Sequence, residues 1–315
     1  MNTRSIDGYR LEWLTSFLAV VDFGGFAAGA EATYRSQPRV STHVAQLERH
    51  LGVVLIDRHE RPVRLTEAGI AFLEHARAVV RSLETGTASV QAVLGMLRGH
   101  VRLGSYAGAG PTFVAASLEA FRRLHPHIEV ELVEDESEAL AAALRSGDID
   151  LAIRPVLPAV RDASLLYQAL WEEPLVALTP PDHPLAASEY ISVAELAAHP
   201  LVLLGDAHGD PDHPDEIRRA FRTAGVSPRV VLRTREPATL AGLVRRRLGV
   251  GVCDLLSGTA AGDLTVIPLL DSGNRRLVSV FWNSSRPMQP AARALMDLLV
   301  QVPVPAEVSS YQRRA

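Results

Sequence analysis

Lysine is absent from the 315-residue chain, and all 32 basic residues are arginine. A phosphate loop that depends on lysine is excluded, and so is a lysine Schiff base. The single cysteine, Cys253, rules out an internal disulfide and a zinc site built on several thiolates. It stands in the apolar run that starts at Val250, as a small buried hydrophobe does, and sensing peroxide through a disulfide would need a second thiol. Long apolar runs are missing as well. Leu14 to Phe26 is broken by Asp22, and Leu196 to Leu204 by His199 and Pro200, so neither reaches the roughly 18 residues that span a bilayer. Met1 to Arg10 carries Arg4, Asp7 and Arg10 without the apolar segment of a secretory signal, so a cytoplasmic chain is expected.

What is present is enough for more than one core: 47% of residues are apolar and 22% charged, over a length of two or three folded units. The net charge of −4 conceals an early basic patch, with six arginines against three acids between Thr33 and Thr66. A first helix reads from Leu11, with Leu14, Phe17, Leu18 and Val21 on one face and Gly24-Gly25 after it. An alanine-rich helix follows from Phe26 to about Thr33. After a break at Tyr34 to Ser36, a third helix runs from Gln37 to His50. Pro38 suits its first turn, Val40, Val44 and Leu47 form its buried stripe, and Gln37, Arg39, Ser41, Thr42, His43 and Gln46 face away from the core. Two helices joined by a tight turn, the second with a donor-rich face, describe a helix-turn-helix. Val53 to Leu65, turned at His59 to Pro62 and carrying Arg58, Arg61 and Arg64, reads as a basic wing.

From Glu67 to Leu97 there is no proline, and Gly69, Ala76, Leu83, Val90 and Leu97 repeat every seven residues, with Phe72, Val79, Gly86 and Val93 interleaved. The seam predicts a long helix that pairs with a second copy of itself; the competing reading is a helix packed on its own domain. Beyond Gly99, strands and helices alternate twice over, which predicts two α/β lobes with mostly parallel sheets and a ligand cleft at the carboxyl ends of the strands. The crossings between lobes are expected near Leu165 to Pro174 and Leu264 to Leu270.

The order of parts resembles the LysR family of bacterial transcriptional regulators over nearly the whole chain. Phe26, Ala30, Glu31, Ser36-Gln37-Pro38, Val40-Ser41, Leu47-Glu48, Leu51-Gly52, Leu55, Arg58, Val63, Leu65-Thr66 and Ala68-Gly69 stand in the family's spacing. Weaker echoes follow at Phe121 to Pro126, Gly147 to Leu151, His183-Pro184-Leu185 and Leu248-Gly249-Val250. Gly25 replaces the family's usual capping serine and Thr33 its usual leucine. The resemblance implies an α plus α/β chain. Its parts are a winged helix-turn-helix DNA-binding domain over 1–66, a linker and dimerisation helix over 67–98, and an effector-binding domain over 99–315. The last would be two-lobed and like a periplasmic binding protein, with lobe I at about 99–167 and 268–303 and lobe II at about 168–267.

The expected DNA contacts are Ser36, Gln37, Pro38, Arg39, Ser41 and Thr42 on the third helix and Arg61 and Arg64 on the wing. Glutamine reads adenine and arginine reads guanine bidentately, and Arg39 is unusual where the family often has a small residue. For the ligand, Gly104 to Pro111 joins a strand to a helix start and offers backbone N–H groups to an anion. The resemblance places effector contacts at this turn (Ser105, Tyr106), at Glu136 and Ser137, near Arg154, at Thr179, and at Arg235 and Thr239. Acidic Glu134, Asp135, Glu136 and Glu138 favour a cationic or polyhydroxy ligand, whereas Arg154 and Arg235 favour a carboxylate. No metal or cofactor is expected: His208, Asp210, Asp212 and His213 sit among Gly209, Pro211 and Pro214, as in a surface loop. No Ser-His-Asp spacing points to catalysis. The expected function is a non-enzymatic, ligand-responsive regulator that binds double-stranded DNA as a homodimer or homotetramer. The alternative is a small-molecule-binding or enzymatic α/β protein whose first helices serve only assembly.

Overall fold

The structure, a computed structural model, describes residues 8–58, 62–94, 97–157, 159, 162–205, 216–270 and 275–312. The chain forms two compact units that divide between Val90 and Gln91. Arg61 and the segment with His208, Asp210, Asp212 and His213 lie outside the described residues.

In the first unit, α1 (Leu11–Asp22), α2 (Phe26–Ala32) and α3 (Gln37–Leu51) bury Phe17, Val20, Val40, Val44 and Leu47 completely. Gly29 lets α2 press on α1, because a Cβ there would stand 2.8 Å from the Ala19 carbonyl oxygen. Helices α2 and α3 end in the same way. Arg35 N–H donates to Ala30 O and Tyr34 N–H to Glu31 O; Val53 N–H donates to Glu48 O and Gly52 N–H to Arg49 O. Both ends therefore carry a left-handed residue just past the helix, Tyr34 at φ 53° and Gly52 at φ 69°. The wing is an antiparallel pair, β1 (Ile56–Asp57) and β2 (Arg64–Leu65).

Helix α4 (Glu67–Val93) divides along its length. Phe72, Leu73, Ala76 and Val80 pack into the core of the first three helices, as a helix lying on its own domain does. Val79, Leu83, Val90 and Val93 are exposed. The helix stops short of the expected Leu97, which instead packs against the core of the second unit.

The second unit begins with β3 (Gly99–Ser105), a 3₁₀ turn, a π turn and α5 (Ala115–Leu124). It continues through β4 (Ile128–Glu134), α6 (Ser137–Ser146), β5 (Leu151–Pro155), β6 (Leu165–Thr179), α7 (Val193–Ala197), β7 (Pro200–Leu204) and α8 (Glu216–Thr223). There follow β8 (Arg229–Thr234), α9 (Pro237–Arg245), β9 (Val250–Asp254), α10 (Leu255–Thr259), β10 (Thr265–Pro268), β11 (Arg275–Asn283), α11 (Pro290–Gln301) and α12 (Ala306–Gln312). The strand order is β4-β3-β5-β11-β6-β9-β7-β8, with β10 on β6. The outer pairs of each lobe are parallel, as the alternating pattern predicts. The middle is not: β11 runs antiparallel to β5 and β6, and β6 antiparallel to β9 and β10.

The first crossing is strand rather than connection. Leu165 to Pro174 pairs with β11, and the same extended chain goes on to pair Leu175 to Leu178 with β9. The sequence shows this run as polar and apolar residues in no clean alternation. The strand is buried on both faces only from Glu173 onward, while Leu166 to Gln168 are exposed.

Candidate DNA-reading surface and ligand cleft

Ser36 is extended and starts α3 without a side-chain cap. Gln37, Pro38, Arg39 and Thr42 are exposed and Ser41 is half-buried. Among the described residues neither Gln37 nor Arg39 is held by a hydrogen bond or ion pair, while the Thr42 hydroxyl donates to the Pro38 carbonyl at 2.8 Å. Two long donors therefore stand free on the first turn of a helix whose other side is core, the arrangement that major-groove reading requires. Arg64 is exposed on β2.

Three side chains of this region are engaged within the unit, and one of them, His43, against the sequence expectation. His43 is buried, not outward-facing: its Nδ1 lies 2.8 Å from the Ser16 hydroxyl. Burial, then the charges of Arg35 and Arg39, lowers its pKa, so the ring is neutral near pH 7. Arg35 turns inward and donates to the Thr15 and Ser16 hydroxyls at 3.1 and 3.0 Å. Arg58 pairs with Glu48 at 2.8 Å and stacks 5.1 Å from the Phe26 ring centroid. Glu48 also accepts the Leu55 and Ile56 N–H groups, so it ties α3 to the wing, a role that no charge count reveals.

In the second unit a cavity of about 410 Å³ opens at the carboxyl ends of the strands, where the sequence placed it. Tyr106 follows β3, Glu136 and Ser137 follow β4, Arg235 follows β8 and Asp254 ends β9, and all of them line it. The turn after β3 is close-fitted. A Cβ on Gly108 would stand 2.5 Å from Asp254 Oδ1, and one on Gly110 would stand 2.5 Å from Glu134 Oε1. Two of the chain's own carboxylates, Asp254 and Glu134, therefore stand close against this turn.

The floor joins both lobes. Tyr106 Oη donates to Glu173 Oε1 at 2.9 Å, and the Arg276 guanidinium lies 4.6 Å from the Tyr106 ring centroid. Arg276 faces Glu173 and Asp254, each at 3.4 Å. Asp254 in turn caps α10 by accepting Ser257 N–H at 2.9 Å and its hydroxyl at 2.8 Å. One arginine therefore serves two carboxylates. Burial raises the Glu173 pKa to about 8, against the pull of Arg276 and with the repulsion of Asp254. Burial works against the charge of Arg276 too, but Asp254, Glu216 and Glu173 together hold it protonated. Burial, then the Asp254 charge, keeps the Cys253 thiol well above its ordinary pKa and hence un-ionised.

Four expected ligand contacts lie on the cavity wall: Tyr106, Glu136, Ser137 and Arg235. The other four do not. Ser105 and Thr179 are fully buried in strands, the Ser105 hydroxyl donating to the Tyr106 carbonyl at 3.0 Å. Arg154 is fully buried with its guanidinium 4.8 Å from the Phe281 ring centroid, and Thr239 is exposed on α9 off the cavity. Sequence reasoning missed Glu173, Asp254, Ser257 and Arg276. Its available signal was an acid directly ending the apolar run Val250 to Cys253, at the strand end where a cleft forms.

The chain matches two family models: the bacterial regulatory helix-turn-helix protein, lysR family, over residues 11–70, and the LysR substrate binding domain over residues 94–303. It is 29% identical over 296 residues to the uncharacterized HTH-type transcriptional regulator YybE of Bacillus subtilis, covering 92% of this chain and 98% of that one. Full-length OxyR from Pseudomonas aeruginosa superimposes with a TM-score of 0.76 at 25% identity, covering 96% of this chain and 97% of that one. Full-length CbnR complexed with its target DNA shares the fold, with a TM-score of 0.68 at 21% identity over 93% of this chain and 99% of that one. These relatives are transcriptional regulators rather than enzymes, and no single helix among the described residues is long and apolar enough to cross a membrane. The chain belongs to the LysR family of DNA-binding transcriptional regulators.

Proposed function

We propose that this regulator reads an interrupted palindrome as a homo-oligomer in the cytoplasm, and that a small cationic effector in the second unit alters that binding. The observation that carries the effector reading is the cavity at the strand ends, with polar groups converging from both lobes. Gln37 and Arg39, unbound on the first turn of α3, read bases, and Arg64 contacts phosphate together with Arg61 of the wing. The exposed apolar residues Val79, Leu83, Val90 and Val93 on α4 support pairing of two copies along that helix.

The charge of the effector follows from what lines the cavity. The two arginines that favoured a carboxylate do not support it, since Arg154 is off the wall and Arg235 lies 3.2 Å from Glu136. Seven carboxylates against three arginines remain. An anion at the Gly108 to Gly110 turn would meet the like charges of Asp254 and Glu134 beside it, whereas an ammonium group is attracted by them as they stand. A thermal-shift screen of matched amines and carboxylates, followed by DNA binding with each stabiliser, tests this: stabilisation by amines is expected and is reduced by Glu136→Gln. Stabilisation by carboxylates alone sinks the cationic reading and leaves the cleft. Stabilisation by neither, with DNA binding unmoved, sinks the cleft itself.

A further inference from the structure

We propose that Tyr34 is a DNA contact, its phenol hydroxyl donating to a backbone phosphate beside the groove that α3 reads. The proposal rests on α3 being the reading helix. Tyr34 is 99% exposed, and among the described residues its side chain makes no hydrogen bond, ring contact or ion pair. It nevertheless sits at φ 53°, a left-handed conformation that disfavours any residue with a Cβ and a bulky ring most of all. The equivalent position after α3 is Gly52, so the chain uses glycine where nothing else is asked of the turn. Among the described residues only one other non-glycine has positive φ, Arg247 after α9, and its side chain is spent on an ion pair with Asp182. Tyr34 is thus strained without any return inside the molecule. A residue kept in that state points outward, to something the turn must touch.

Position supplies the partner. Tyr34 precedes Ser36, Gln37 and Arg39 on the same exposed end of α3. Its neighbour Arg35, the obvious phosphate ligand by charge, is turned inward onto Thr15 and Ser16. The turn therefore offers a neutral donor to the phosphates in place of a cation, and tyrosine hydroxyls serve in that role at DNA interfaces. Because the contact carries no charge it releases no counterion, so it adds affinity without adding salt dependence.

The test is binding of the full chain to a fluorescent random-sequence duplex, as a function of salt, for the parent, Tyr34→Gly, Tyr34→Phe and Arg64→Ala. Tyr34→Gly and Tyr34→Phe should each weaken binding by about tenfold, the range of a hydrogen bond to a charged group. Their slope of log K against log salt should equal the parent's, while Arg64→Ala lowers it by about one. Tyr34→Gly should unfold at the same temperature as the parent or higher, which separates lost contact from lost fold. Parental affinity in both Tyr34 variants overturns the proposal, and so does a loss confined to Tyr34→Gly, since the ring and not the hydroxyl would then be the contact. Should Arg39→Ala also bind both random and selected duplexes like the parent, the reading helix is misassigned rather than Tyr34 alone.

Discussion

Replacing Glu173 by glutamine tests whether burial or the ion pair governs the cleft floor. Glutamine keeps the shape and an acceptor for the Tyr106 hydroxyl, and it removes only the ability to ionise. With its pKa raised to about 8 from an ordinary 4.5, Glu173 keeps its proton when folded and loses it when unfolded across that window. The native state then binds more protons than the unfolded state, so this group's contribution is fully present below about pH 4.5 and is lost as pH rises toward 8. The gradient is at most about 1.4 kcal/mol per pH unit, or roughly 3–5 °C of unfolding midpoint for a unit of this size. Parent and Glu173→Gln should therefore unfold within a few degrees of each other at pH 5 and diverge steadily toward pH 8, the variant being the more stable. Thermal unfolding of the full chain in a series of buffers measures it. Parallel curves would refute the reasoning: Glu173 would then be ionised throughout, with Arg276 outweighing burial.

Other expectations rest on the first unit. Gly29→Ala should destabilise it by about 1–2 kcal/mol, because overpacking against the Ala19 and Val20 backbone exceeds the roughly 1 kcal/mol gained in helix propensity; a raised denaturation midpoint contradicts the close approach. Gly25→Ser should stabilise by a few tenths of a kcal/mol, since Gly25 is extended, has open space around it and leaves α2 uncapped. The lowered His43 pKa means that its contribution is present above the ordinary 6.5 and lost as pH falls below it. Amide exchange in α3 should quicken between pH 7 and 5 beyond its intrinsic trend, and less so in His43→Gln. Leu83→Asp with Val90→Asp should leave monomers by sedimentation, and an unchanged mass places the contact elsewhere.

The helices of the first unit were legible because one-sided apolar spacing survives any context: Val40, Val44 and Leu47 had to be core. His43 was misread because polarity alone does not say which way a side chain turns, and a histidine satisfied by Ser16 is as well placed inside as out. A cavity does open at the expected place, since strand ends and the turns after β3, β4 and β8 follow from alternation. Its floor was not, because Glu173 and Arg276 come from strands 103 residues apart and meet only through the β6–β11 pairing, which no local pattern encodes. Ser105, Arg154 and Thr179 were carried over by resemblance, and burial on β3, β5 and β6 removes them from the wall.

Strand β6 sets a mechanical rule for the second unit. Its 15 residues run unbroken from the sheet of one lobe into that of the other, hydrogen-bonded on the way to β11 and then to β9 and β10. A pair of lobes tied by loose loops can swing apart about them at small cost in hydrogen bonds. Here any relative rotation has to be taken up as added twist in a paired ribbon, whose register is already irregular between Val278 and Ser279. Twisting one lobe against the other therefore works on backbone that both lobes own in common.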